Sequence, residues 1–120
     1  MERRDKTVLC IDDQQNALSG WCLYLQGVGY RVMGAASPEE GLQLFGTNPV
    51  DVVILDYKMP EMNGANVAEA MKHIKPEVPI VMFTGAPRVP DSARSHVDAF
   101  VVKGQPPQVL VKTIEDLLKT

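Results

Sequence analysis

Cysteine is scarce: Cys10 and Cys22 are the only two in 120 residues, too few for a disulfide framework. Each sits within an apolar pattern and reads as a small buried hydrophobe. Two cysteines without a nearby histidine also fall short of the four donors of a zinc site. An excess of positive charge is missing as well. Twelve basic residues stand against fifteen acidic ones, for a net charge of −3, so direct nucleic-acid binding is not expected. No apolar run approaches the roughly 18 residues of a membrane span. The charged start, Met1-Glu2-Arg3-Arg4-Asp5-Lys6, leads only to the short run Val8 to Ile11, which is unlike a signal peptide. A cytoplasmic protein without membrane insertion is expected. No repeat, low-complexity tract or linker breaks the chain. Residues 1–120 are expected to form a single domain, with its core over about residues 6–119.

Strand and helix patterns alternate five times. Thr7 to Ile11, Tyr30 to Ala36, Val52 to Leu55, Pro79 to Phe83 and Ala99 to Val102 are short apolar runs. Continuous runs of this length suit strands buried on both faces of a parallel sheet. Between them, Leu18, Trp21, Cys22 and Leu25 recur at helical spacing, with Gly27 and Gly29 as stops. Ser37-Pro38-Glu39-Glu40 reads as a capped helix start, with Pro38 at the first helical position and Glu40 completing a capping box. Gly64 to Lys75 is expected to be helical with Val67, Met71 and Ile74 inward. Pro106-Pro107 opens a last helix carrying Leu110, Ile114 and Leu117 on one face. Such alternation predicts an α/β protein with a parallel sheet and helices on both sides.

In sheets of this kind ligands sit outside the carboxyl ends of the strands. There the chain places Asp12-Asp13, Asp56, Thr84 and Lys103. If the strands pair in the order 2-1-3-4-5, these groups share one mouth. Carboxylates within about 4–6 Å disfavour each other's charge. A divalent cation relieves that repulsion, and hard oxygen donors suit Mg²⁺. Mg²⁺ takes one or two carboxylates, which leaves another free to attack phosphorus. Phosphoryl transfer needs chiefly alignment and charge neutralisation, for which Lys103 and a hydroxyl at Thr84 are suitable.

Asp12-Asp13 after an apolar strand, Asp56-Tyr57-Lys58-Met59-Pro60 with Gly64 beyond, Thr84-Gly85, and Lys103 together resemble the receiver domain of bacterial two-component response regulators. The resemblance runs from about Thr7 to Leu118. It implies a flavodoxin-like doubly wound five-stranded sheet with five helices. It also implies roles. Asp56 would be the phosphoacceptor, Asp13 a direct Mg²⁺ ligand and Asp12 a partner acting through water. The backbone carbonyl of Lys58 would be a further ligand. Lys103 would pair with the phosphoryl group or, before it, with Asp56. Thr84 would be the switch hydroxyl and Phe100 the aromatic switch residue. A sensor histidine kinase or phosphotransfer protein would supply the phosphoryl group, and a downstream protein would read the switch. The receiver would assist its own phosphorylation and dephosphorylation without being a conventional enzyme.

The chain departs from the family in places. Pro87 and Pro90 lie in the segment that must hold the fourth helix, and only about two turns fit there. That helix is expected to be short or irregular. Gly104 stands where the family usually has proline after the lysine, so a cis bond is not expected there. Lys58 and Ala86 occupy positions that tune dephosphorylation in the family, and a slow-to-moderate loss of phosphate is expected. His73 and His96 read as surface residues, and the six methionines as scattered gap fillers.

Three other readings compete. A degenerate receiver would bind a partner without phosphorylation. A hydrolase acting through an aspartyl phosphate would need a substrate cap, for which 120 residues leave no room. A flavodoxin would need a phosphate-cradling loop where Asp12-Asp13 stands, and those charges repel phosphate unless metal intervenes.

Overall fold

The computed structural model describes residues 3–60, 62–85 and 89–119; the side chain of Arg4 is outside the description. Five strands form one parallel sheet in the order 2-1-3-4-5: β1 (Thr7–Ile11), β2 (Arg31–Ala35), β3 (Val52–Leu55), β4 (Ile80–Thr84) and β5 (Ala99–Val102). Four α-helices accompany them: α1 (Gln15–Val28), α2 (Pro38–Thr47), α3 (Gly64–Ile74) and α4 (Pro107–Leu118). The expected strand order stands. Of the five expected helices, four are α-helices among the described residues; where the fourth, expected to be short or irregular, would lie, the described residues between β4 and β5 form a 3-10 turn, Asp91–Arg94. Ala86, Pro87 and Arg88 lie outside the described residues, so nothing is stated of the role expected of Ala86.

The central strands β1, β3 and β4 are buried almost throughout, which is why their sequences run apolar without alternation. Two cores result. Val8, Cys10, Val52, Ile54, Val81 and Phe83 face α1 and α4, where Leu18, Leu25, Leu110 and Ile114 meet them. Leu9, Ile11, Val53, Leu55 and Ile80 face α2 and α3, where Phe45, Val67 and Met71 meet them. Ile74 does not join this core; it is 49% exposed at the last position of α3, against the expectation that it points inward. Gly27 continues α1 and does not stop it, and Gly29, at φ 123°, provides the C-terminal cap.

Helix α2 starts as its sequence predicts. Ser37 Oγ accepts the Glu40 N–H at 3.2 Å, and Glu40 Oε1 accepts the N–H of Ala36 at 3.0 Å, one residue before the cap. The start of α3 is set by a close approach. A Cβ on Gly64 would stand 2.5 Å from the Asp56 carbonyl oxygen and 2.9 Å from Tyr57 Cα. Only glycine lets α3 begin against the end of β3, where its N–H donates to the Tyr57 carbonyl at 2.7 Å.

Candidate functional site

The sheet ladder delivers the acidic residues to one place. Asp12 N–H donates to Ala35 O and Asp56 N–H to Ile11 O, so both leave the sheet as its last bonded positions. Oxygens of Asp12, Asp13 and Asp56 then lie within 4.8 Å of one another. On the other side of Asp56, the Lys103 N–H donates to Thr84 O at 2.9 Å and joins the ends of β5 and β4. The result is an open cleft of about 830 Å³ lined by Asp13, Asp56, Lys58, Asn63, Thr84 and Lys103, among others.

The two buried carboxylates of the acidic cluster differ. Asp12 Oδ2 accepts the Lys103 ammonium at 2.6 Å, and its Oδ1 accepts the Gln14 N–H at 2.9 Å, at the entry to α1. Asp56 Oδ1 accepts the Tyr57 N–H at 2.8 Å, while its Oδ2 is 3.9 Å from Lys103 Nζ. The ammonium of Lys103 thus meets its expected partner Asp56 at 3.9 Å and, more closely, Asp12. Burial raises the Asp56 carboxyl above its ordinary pKa. Lys103 opposes that rise, Asp12 adds to it, and hydrogen bonds from Thr84 and the Tyr57 N–H oppose it. Thr84 is buried, so its hydroxyl is held against the acidic group.

Three carboxylates facing one ammonium leave a net negative pocket with hard oxygen donors. Asp12, Asp13 and Asp56 fit a small divalent cation such as Mg²⁺. Lys58 is exposed at the cleft wall. Phe100 stands apart from the cleft. It packs with Tyr57 and Ala65 around Val89 and Ala93, and the Arg94 guanidinium covers its ring at 4.3 Å. His73 is exposed and His96 partly so, and neither lines the cleft.

Sequence reasoning passed over Gln14, Tyr57 and Asn63. Gln14 and Tyr57 act through backbone N–H groups, which leave no mark in residue identity. Asn63 had a signal: Asn just before a helical pattern is a cap, and its Oδ1 accepts the Asn66 N–H at 3.0 Å.

The family described as the response regulator receiver domain matches residues 8–115. The transcriptional regulatory protein GlrR of Escherichia coli (strain K12) is 30% identical over 99% of this chain and 28% of its own length. The response regulator SaeR of Staphylococcus aureus (strain USA300) is 31% identical over 92% of this chain and 50% of its own. The chain therefore spans half or less of these curated relatives. Among solved structures, the response regulator protein TrrA of Thermotoga maritima, in complex with Mg²⁺-BeF, matches with a TM-score of 0.90 at 31% identity. The match covers 94% of this chain and 99% of that one. TrrA in complex with the histidine kinase ThkA matches at a TM-score of 0.88 and 30% identity, over 95% and 99% of the two chains.

Proposed function

The chain belongs to the family of response regulator receiver domains, and on that premise we propose that Asp56 is its phosphoacceptor. The observation that carries the assignment is the position of Asp56. It is the carboxylate that shares the acidic cluster, receives the Thr84 hydroxyl and has Lys103 at 3.9 Å, farther than the closer Lys103–Asp12 contact. Asp12 is engaged by Lys103, and Asp13 is the more exposed of the three.

The donor is a phosphohistidine of a sensor histidine kinase or phosphotransfer protein. A carboxylate oxygen of Asp56 attacks phosphorus, the P–N bond breaks, and the departing imidazole retains the bonding pair and takes a proton. Asp12, Asp13, Asp56 and the backbone carbonyl of Lys58 would hold Mg²⁺. When bound, Mg²⁺ neutralises phosphoryl oxygens that would otherwise be repelled by the carboxylates. Lys103 adds positive charge at the same mouth, and the Thr84 hydroxyl can donate to a phosphoryl oxygen. Residues about 6–119 act as one receiver unit. The product is a signalling state read by a downstream protein in the cytoplasm, with the chain acting as a switch that assists its own phosphorylation and dephosphorylation. Phosphorylation adds negative charge and acceptor oxygens beside Thr84 and Tyr57. Phe100 responds to that change, a reading supported by its packing in the same small cluster as Tyr57.

Intact mass after incubation with acetyl phosphate and Mg²⁺ tests this. The wild type is expected to gain one phosphoryl group, and Asp56→Ala none. Equal gain in both proteins would remove Asp56 from the role. No gain in either, together with no Mg²⁺ binding, would leave an interaction module that works without phosphorylation.

A further inference from the structure

The two cysteines meet. Cys10 lies on β1 and is buried; Cys22 lies on α1 and is partly exposed. Cys10 is the register partner of Gly34 on the edge strand β2, so the two share a face of the sheet about 4.8 Å apart. A Cβ at Gly34 would stand 3.0 Å from Cys22 Sγ. The bare glycine therefore leaves the space beside Cys10 to the sulfur of Cys22, which packs against the same core cluster as Cys10. Gly34 is itself exposed, which opens a path from solvent to Cys22 along the sheet edge.

We infer that Cys22 and Cys10 form an oxidation site, with Cys22 the thiol that reacts with a hydroperoxide and Cys10 the thiol that resolves it. Cys22 is the partly exposed thiol and Cys10 the buried one, so peroxide from solvent meets Cys22 first, and the neighbouring Cys10 lowers the Cys22 thiol from its ordinary value. The Cys22 thiolate attacks one oxygen of hydrogen peroxide and the O–O bond breaks. Hydroxide leaves, takes a proton and becomes water. Cys22 is now a sulfenic acid. The Cys10 sulfur attacks the Cys22 sulfur, the S–S bond forms and the S–O bond breaks. The departing hydroxide combines with the Cys10 thiol proton as a second water. Two thiols are oxidised by two electrons, and the peroxide is reduced to water. The bond would tie α1 to β1 two residues before Asp12.

The chain suits a direct test. No Lys or Arg lies between Lys6 and Arg31, so one tryptic peptide, Thr7 to Arg31, carries both cysteines. After brief treatment of the folded protein with hydrogen peroxide and alkylation of free thiols, that peptide is expected to lack both alkyl groups. It should be lighter than the reduced peptide by about 2 Da, with dithiothreitol reversing the change. Cys22→Ser is expected to show no reaction at position 10. Cys10→Ser, checked for folding by circular dichroism and replaced by Cys10→Ala if it fails, should stop at a sulfenic acid that dimedone traps. In the untreated wild type, iodoacetamide should label Cys22 roughly tenfold faster than Cys10. A wild-type peptide that keeps both free thiols, or that gains oxygen at Cys22 without losing two hydrogens, overturns the proposal.

Discussion

Lys103 Nζ sits 2.6 Å from Asp12 Oδ2 but 3.9 Å from Asp56 Oδ2. The ammonium thus occupies the same acidic cluster that would hold a divalent cation. A cation entering there meets one positive charge already in place. Replacing Lys103 by the similarly long but neutral Met should tighten Mg²⁺ binding on the order of tenfold, since like charges a few ångströms apart in a partly screened site cost about 1–2 kcal/mol. Titration calorimetry of wild type and Lys103→Met checks this. Weaker Mg²⁺ binding in the variant would mean that Lys103 organises the carboxylates more than it competes with the metal.

Asp56 gives a pH dependence of definite sign. Its carboxyl is raised above the ordinary value, mainly by burial. The folded state therefore binds this proton more tightly than the unfolded state. Stability from this group is fully present below the unfolded pKa and is lost as pH rises through the folded one. Asp56→Asn should consequently raise Tm at neutral pH in metal-free buffer, and the advantage should shrink as pH falls toward the ordinary carboxylate range. A change of about 1 kcal/mol reads as roughly 4 °C in a domain of this size. A gain in Tm that stays constant across pH would point to packing and not to charge.

The strands were legible because buried parallel strands leave a continuous apolar run, and the residues ending those runs are the site. Val52 to Leu55 followed by Asp56 is the clearest case: four buried side chains and then the proposed phosphoacceptor. Thr84 was also found, although it is the last residue of β4 and not the first beyond it. Pairing inside the site was less legible. Which carboxylate Lys103 reaches depends on side-chain geometry at the end of β5, and residue type carries no trace of it. Ile74 was misread because helical spacing sets the face of a residue but not where the covering core stops. The segment between β4 and β5 was read as short or irregular from Pro87 and Pro90, and its described residues form the short 3-10 turn Asp91–Arg94. The backbone donors of Tyr57 and Gln14 act through local geometry that no periodicity reports, whereas Asn63 carried an N-cap signal that was passed over.

Glycine substitutions separate tight positions from open ones. At Gly64 an added methyl would meet backbone atoms, Asp56 O at 2.5 Å and Tyr57 Cα at 2.9 Å, which cannot rotate away. Gly64→Ala should destabilise the fold by about 1–3 kcal/mol, as overpacking does elsewhere, and should slow phosphorylation by displacing the chain after Asp56. Gly20, in the middle of α1, has nothing within 4 Å of a built Cβ. Gly20→Ala should instead stabilise by about 0.5–1 kcal/mol through helix propensity. Denaturant unfolding of both variants decides the matter, and equal effects would contradict the close approach at Gly64.

The turn Asp91–Arg94 has too few residues to hold itself together. Val89 and Ala93 are buried against Tyr57, Ala65 and Phe100, and the Arg94 guanidinium lies 4.3 Å over the Phe100 ring. This small cluster sits apart from both main cores and packs against Tyr57, the residue that follows Asp56. Arg94→Ala should therefore cost less than about 1 kcal/mol in global stability, the usual worth of an exposed cation–π contact. Its effect should concentrate locally: amide exchange over residues 89–102 should rise several-fold, while β1 and β3 keep their protection. Arg94→Lys should restore part of the difference, because an ammonium can still sit over the ring. If exchange instead rises evenly along the whole chain, the turn is bound into the main cores and Phe100 cannot move independently of them.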